Sequence, residues 1–124
     1  MKRPPSRPKL DDTARIRHML DAARRALELV RGKPIAELPP EDETALALAR
    51  LLEILGEAAR QVTPTTRLRH PTIAWRDIAD TRNRIIHEYF DVDLEIIAAI
   101  VAHDLPDLIP ALEVVLHELL ERNP

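Results

Sequence analysis

The chain contains no cysteine, one serine, two glycines, and one residue each of tryptophan, tyrosine and phenylalanine. The first absence excludes disulfides, thiolate metal sites and cysteine nucleophiles. The only serine, Ser6, lies in a proline-rich leader, so a serine hydrolase is excluded as well. Gly32 and Gly56 are too far apart to build a phosphate-cradling loop. No apolar run approaches membrane-spanning length, and the basic "MKRPPSRPK" is not followed by the apolar core of a signal peptide. These features predict a soluble, cytoplasmic protein with no membrane association. Valine and isoleucine never settle into an alternating pattern bounded by turn residues, so strands are not expected. At 124 residues, with 45% hydrophobic and 31% charged side chains, the chain suits one all-α domain packed through aliphatic residues. The net charge of -3 argues against nucleic-acid binding through bulk charge and leaves room for a local basic cleft.

Residues 1–10 read as a flexible, basic, proline-rich tail, with Lys2, Arg3, Arg7 and Lys9 either solvated or serving as a phosphate-binding arm. Residues 11–124 read as a single helical domain. Asp11 or Asp12 caps a first helix whose apolar stripe is Ile16, Met19, Leu20, Ala23, Leu27 and Val30, ending near Gly32 and Pro34. Pro39, Pro40 and a cluster of acids precede a second helix with Leu48, Leu51, Leu52, Leu55, Ala59 and Val62 on one face. "TPTTRLRHPTIAW" reads as a loop carrying Arg67, Arg69 and His70. A third helix is expected from about Ile73 to Phe90. Asp93 then caps a fourth, which Pro106 and Pro110 kink or divide. Four principal helices, the last kinked or divided at its prolines, suggest an antiparallel bundle of four to five helices.

The third segment carries "RNRIIHEYF". Read as a helix, it places Trp75, Ile78, Ala79, Arg82, Ile85, Ile86 and Tyr89 on one stripe and Arg76, Asp80, Asn83 and His87 on the next. Arg82 amid apolar residues needs a carboxylate, a hydrated cleft or an anionic ligand. Arg82, Asn83 and His87 together have the parts for cleaving a phosphodiester. An imidazole moves a proton, a guanidinium meets charge developing on phosphate, and an amide orients substrate or imidazole. RNA supplies its own nucleophile, so removal of the 2′-hydroxyl proton by His87 permits cleavage with neither metal nor cofactor. The same spacing also gives Arg76, Asp80, Arg84 and Glu88 the alternating charges of an ordinary solvated helix face. Glu113, His117 and Glu121 at spacing four offer a weaker metal-ligand pattern, for which a solvated face is the simpler account, and His18 and His103 have no convincing partners.

Arginine, four residues, histidine, one residue and tyrosine, flanked by "LEILGEAA", "HPTIAWRDIADT", "DVDLEII" and "DLPDLIPALE", resembles the HepT-like toxins of the HEPN superfamily over about residues 10–120. The resemblance implies a helical bundle that dimerises about a two-fold axis, with the motifs of two protomers in one cleft. It also implies a metal-independent endoribonuclease acting as the toxin of a type VII toxin-antitoxin pair, on RNA that includes tRNA as a candidate. The partner implied is a nucleotidyltransferase antitoxin of the MntA type. On that pattern Arg82 and His87 are the catalytic pair, Asn83 supports them, and Tyr89 is the hydroxyl to which the antitoxin transfers AMP. Asp80, on the stripe of Asn83 and His87 by spacing, either supports His87 or simply pairs with Arg76 or Arg84. Arg67, Arg69, His70 and Arg76 are candidates to extend the RNA cleft, with mere solvation of loop and surface cations the alternative. Ala74 before Trp75, and Asp80-Thr81 before Arg82, depart from the proline and glycine-methionine often found in relatives. A non-catalytic nucleotide-binding module, or an accessory subunit of a nucleotidyltransferase, is the alternative.

Overall fold

The computed structural model describes residues 10–39, 41–88 and 91–122. The basic tail expected over residues 1–10 falls outside these but for Leu10, as do Tyr89 and Phe90. Helix α1 (Asp12–Val30) begins at Asp11, whose side chain accepts from the Ala14 amide, and is followed by Gly32 at φ 67°. A single 3-10 turn at Ile35–Glu37 leads to α2 (Glu43–Gln61), capped by Asp42. Two short helices follow, α3 (Pro64–Arg69) and α4 (Trp75–Ala79), then α5 (Thr81–Ile85). Strands β1 (Ile86–Glu88) and β2 (Asp91–Val92) pair antiparallel, with Ile86 opposite Val92 and Glu88 opposite Asp91. Helix α6 (Leu94–Ala99) passes through a π turn at Ile100–Asp104 into α7 (Leu105–Arg122).

The all-α architecture is as expected, apart from the small hairpin. Helices α1, α2 and α7 form the body, and Ile16, Met19, Leu48, Leu52, Leu55, Ile97, Leu105, Leu112 and Val115 are fully buried between them and α6. All six positions predicted for the α2 stripe are buried. The break expected near the prolines falls one turn earlier. Pro106 would drive its ring into the carbonyl of Ala102, and the wider π turn around Ala102 relieves that clash, while Pro110 is carried inside α7.

Three local expectations are corrected. The segment read as a loop after α2 contains α3, started by Pro64 and held to α1 by Asp12. Asp12 accepts from the Thr63 amide (3.0 Å) and from the hydroxyls of Thr63 (2.6 Å) and Thr66 (2.5 Å). The helix expected to run to Phe90 is interrupted at Asp80, whose φ of -91° and ψ of 8° lie outside helical space, and it ends at Ile85. Ile86 turns extended, and the Asp93 amide donates to the Ile85 carbonyl at 2.7 Å, closing the hairpin at its base. Third, the buried line of α5 runs through Thr81 and Ile85, so Arg82, about 100° further round, is exposed instead of lying in an apolar stripe.

The Asp12 clamp makes stability depend on pH. Burial pushes its carboxyl up, but the hydrogen bonds from Thr63 and Thr66 and the charge of Arg15 outweigh this and hold it below its ordinary range. A depressed folded pKa stabilises above the unfolded value, and that contribution is lost as pH falls through the folded one. Asp12→Asn is therefore expected to cost about 1–3 kcal/mol at pH 7. The difference from the parent should shrink as pH drops below about 4. Urea unfolding at pH 7 and pH 3 measures both, and an equal difference at the two pH values would show that the carboxylate charge is not what clamps α3.

Candidate functional site

The "RNRIIHEYF" motif is divided between two elements and two environments. Arg82 and Asn83 lie on α5, with Arg82 exposed and without a hydrogen bond or ion pair among the described residues. Asn83 donates from Nδ2 to Asp80 Oδ1 at 2.5 Å, and its amide bonds the Asp80 carbonyl. Asp80 is thus occupied by Asn83, and does not share with His87 the helical stripe that spacing had assigned to them.

His87 stands on β1, beyond the end of α5, so it and Asn83 are not successive turns of one helix. Its Nε2 lies 3.0 Å from Asp93 Oδ2. Asp93 is also the cap of α6, its Oδ1 accepting from the Ile96 amide at 3.0 Å. The Ile96 amide first, then His87, hold the Asp93 carboxyl below its ordinary range, so it is ionised near neutrality and can only accept. His87 Nε2 must then carry the proton, which leaves the Nδ1 lone pair open to receive one. The imidazole is accessible, its side chain 54% exposed. Spacing reveals Asp93 only as a cap, because its approach to His87 requires the hairpin.

Arg82 and Asn83 open onto a groove of about 330 Å³, walled on the other side by Arg50, Glu53, Glu57 and Arg60 of α2. Gly56 allows a close approach between the two sides: a Cβ there would lie 2.8 Å from the Ile78 carbonyl oxygen. The four charged α2 residues follow spacings of three, four and three, which marks them as one solvated face without indicating that it meets Arg82. The other predicted cations lie elsewhere. Arg69 Nη1 is 3.9 Å from Glu118, which also has His70 Nε2 at 2.9 Å, though not aligned as a hydrogen bond. Arg67 Nε is buried without a hydrogen-bond partner among the described residues, and Arg76 is exposed on α4. Arg84 lies 3.9 Å from Asp104 on the far side of α5.

Glu113 and His117 do not converge on a common ion. Glu113 pairs with Arg24 at 3.0 Å and His117 with Glu121 at 3.0 Å. Among the described residues, no group of three or more histidine, aspartate or glutamate side chains is placed to hold a metal, and no helix is long and apolar enough to cross a membrane. Tyr89 lies outside the described residues.

A family model described as "Ribonuclease HepT-like" matches residues 19–115, a span that contains α5, the hairpin and the Asp93 cap. The chain belongs to the HepT-like ribonuclease family. Among its relatives, "Putative RNase TTE0752" of Caldanaerobacter subterraneus subsp. tengcongensis is 31% identical over 93 residues, covering 75% of this chain and 83% of that protein. "Putative RNase MJ1380" of Methanocaldococcus jannaschii is 30% identical over 107 residues, covering 86% and 98%. "Probable ribonuclease HepT" of Thermococcus cleftensis is 38% identical over 68 residues, covering 55% and 62%. No solved structure is a significant match.

Proposed function

We propose that this HepT-like protein is a metal-independent endoribonuclease, and that the His87–Asp93 pair carries the reaction. The supporting observation is the geometry of that pair: an accessible imidazole whose tautomer is set by an ionised carboxylate on its far nitrogen. His87 Nδ1 takes the proton of a ribose 2′-hydroxyl. The 2′ oxygen attacks the adjacent phosphorus, the bond to the 5′ oxygen breaks, and that oxygen leaves with a proton from solvent or from a second protonated histidine. The products are a 2′,3′-cyclic phosphate and a 5′-hydroxyl end. Arg82, having no protein partner among the described residues, meets the charge that accumulates on the non-bridging oxygens. Asn83, tied to Asp80, serves as a fixed polar group beside it.

The family resemblance extends this reading to a homodimer in which two copies of Arg82 and His87 share one cleft, and to the toxin role in a toxin-antitoxin pair. Neutralisation follows by AMP transfer: the Tyr89 hydroxyl attacks the α-phosphorus of ATP and pyrophosphate leaves. Tyr89 is two residues from His87 in the chain, so the added phosphate brings bulk and negative charge close to a site built for an anionic substrate. The reaction is tested by incubating protein of unmodified intact mass with end-labelled total RNA and tRNA in EDTA, and analysing the new 3′ ends. Cyclic-phosphate ends support the assignment; no cleavage by the unmodified protein favours a non-catalytic nucleotide-binding module. For the switch, Tyr89→Phe is expected to gain no AMP mass from a cognate nucleotidyltransferase and ATP. A mass gain equal to the parent's would place the modification on another residue.

A further inference from the structure

We propose that the groove between α2 and α5 is a nucleotide subsite beside the cleaved bond, in which Arg50 and Arg60 contact RNA phosphates and Glu53 accepts from an exocyclic amino group of a base. The inference rests on RNA being the ligand, as proposed above, and concerns residues of α2 that the catalytic motif does not include. Three arginines from two elements, Arg50, Arg60 and Arg82, converge on a groove of about 330 Å³. Arg60 is positioned there by the protein itself, its Nη2 donating to the Ala79 carbonyl at 3.0 Å and leaving other N–H groups for a ligand. The close approach that Gly56 allows is what brings α2 within reach of that carbonyl.

The two carboxylates in the groove do not neutralise it. Glu53 lies 3.5 Å from Arg50 and Glu57 lies 3.9 Å from Arg60, separations at which exposed pairs are weak and readily exchanged for a phosphate. That leaves the Arg82 charge uncompensated. Arg50 and Arg60 lie ten residues apart on α2, about 15 Å of helical rise, and are held at different ends of the groove, Arg50 beside Glu53 and Arg60 on the Ala79 carbonyl, so each is assigned its own phosphate. Glu53 sits between them and is the most enclosed of the four paired side chains, 25% exposed against 57–70% for the others. A carboxylate enclosed between two phosphate-binding cations is suited to the amino edge of cytosine, adenine or guanine, and uracil has no such group. Arginine guanidinium planes also give an unstacked base a surface to lie on.

The test uses fluorescence anisotropy of labelled oligo(C) and oligo(U) across a salt series, in a His87→Ala background so that RNA is bound without being cut. Arg60→Gln and Arg50→Gln are each expected to reduce the slope of log K against log salt by about 0.7, the value of one lost single-strand phosphate contact. Arg60→Lys should restore the slope, and Arg17→Gln, on an exposed face of α1 away from the groove, should leave it unchanged. The background protein should bind oligo(C) several-fold tighter than oligo(U), and Glu53→Gln should abolish that preference without changing the slope. Should Arg60→Gln lose its fold with the Ala79 bond, Arg50→Gln reads the same groove, because among the described residues Arg50 bonds no other element, only Glu53 one turn along α2. Unchanged slopes in the folded variants, or equal affinity for the two oligomers before Glu53 is altered, overturn the subsite. Cleavage by the wild type alongside unchanged slopes would reject the subsite alone. The absence of both cleavage and RNA binding would reject the ribonuclease reading itself.

Discussion

His87→Ala is expected to lower the rate of RNA cleavage by about 10²–10⁴-fold, the usual contribution of a positioned general base. Arg82→Ala should cost about 10²–10³-fold, as for loss of one group that stabilises transition-state charge. Neither change should disturb folding. The His87 side chain is 54% exposed, and Arg82 is exposed with no partner among the described residues, so each truncation removes little buried surface. The combination of lost activity with retained stability is therefore the informative result. In the proposed mechanism the two groups act on one phosphate in one step, so the double variant should be little slower than the worse single one. Single-turnover cleavage in EDTA, with thermal unfolding of each protein alongside, measures all of this. Parental rates in both single variants would mean that the assigned residues do not perform the chemistry and that any cleavage observed has another source.

How legible the fold is from sequence depends on whether the forces that shape a segment are local. Helices α1 and α2 are long enough for apolar spacing to repeat over several turns, and Asp11 and Asp42 cap them from immediately outside. Helix α3 is less legible because what anchors it, the Asp12 carboxylate, is more than fifty residues away from Thr63 and Thr66. The motif is the instructive failure. "RNRIIHEYF" continues the helical spacing of the preceding residues, yet Ile85, Ile86, Tyr89 and Phe90 are equally residues that favour extended chain. The break at Asp80 and the hairpin bond from Asp93 to Ile85 decide the competition, and neither is visible in periodicity. The residue types proposed for the chemistry are therefore readable, whereas their arrangement is not. Asn83 bonds Asp80, His87 bonds Asp93, and α2 contributes the opposite wall of the groove.

Asp93→Asn should reduce cleavage by about 10²–10³-fold with KM little changed, although no atom of Asp93 need touch the substrate. The aspartate has two carboxylate oxygens with two separate tasks: Oδ1 accepts from the Ile96 amide at 3.0 Å and Oδ2 accepts from His87 Nε2 at 3.0 Å. Asparagine has one acceptor oxygen and one NH2 donor, so it cannot perform both. If the oxygen keeps the α6 cap, where asparagine is as good as aspartate, stability is preserved and the NH2 faces His87. Nε2 must then accept, the ring proton moves to Nδ1, and the nitrogen that should remove the 2′-hydroxyl proton is already protonated, the wrong-tautomer defect known from catalytic triads. If the amide turns the other way, the tautomer is kept but the cap is lost, at about 1 kcal/mol of stability. Activity and stability therefore cannot both survive. The parent's advantage should also depend on pH in a defined sense, because the Asp93 carboxyl is held below its ordinary range. What its charge contributes is present at neutrality and disappears only as pH falls through that depressed value, so the stability difference between parent and variant narrows in acid. An Asp93→Asn protein with parental kcat and parental thermal stability would show that the carboxylate does not position His87.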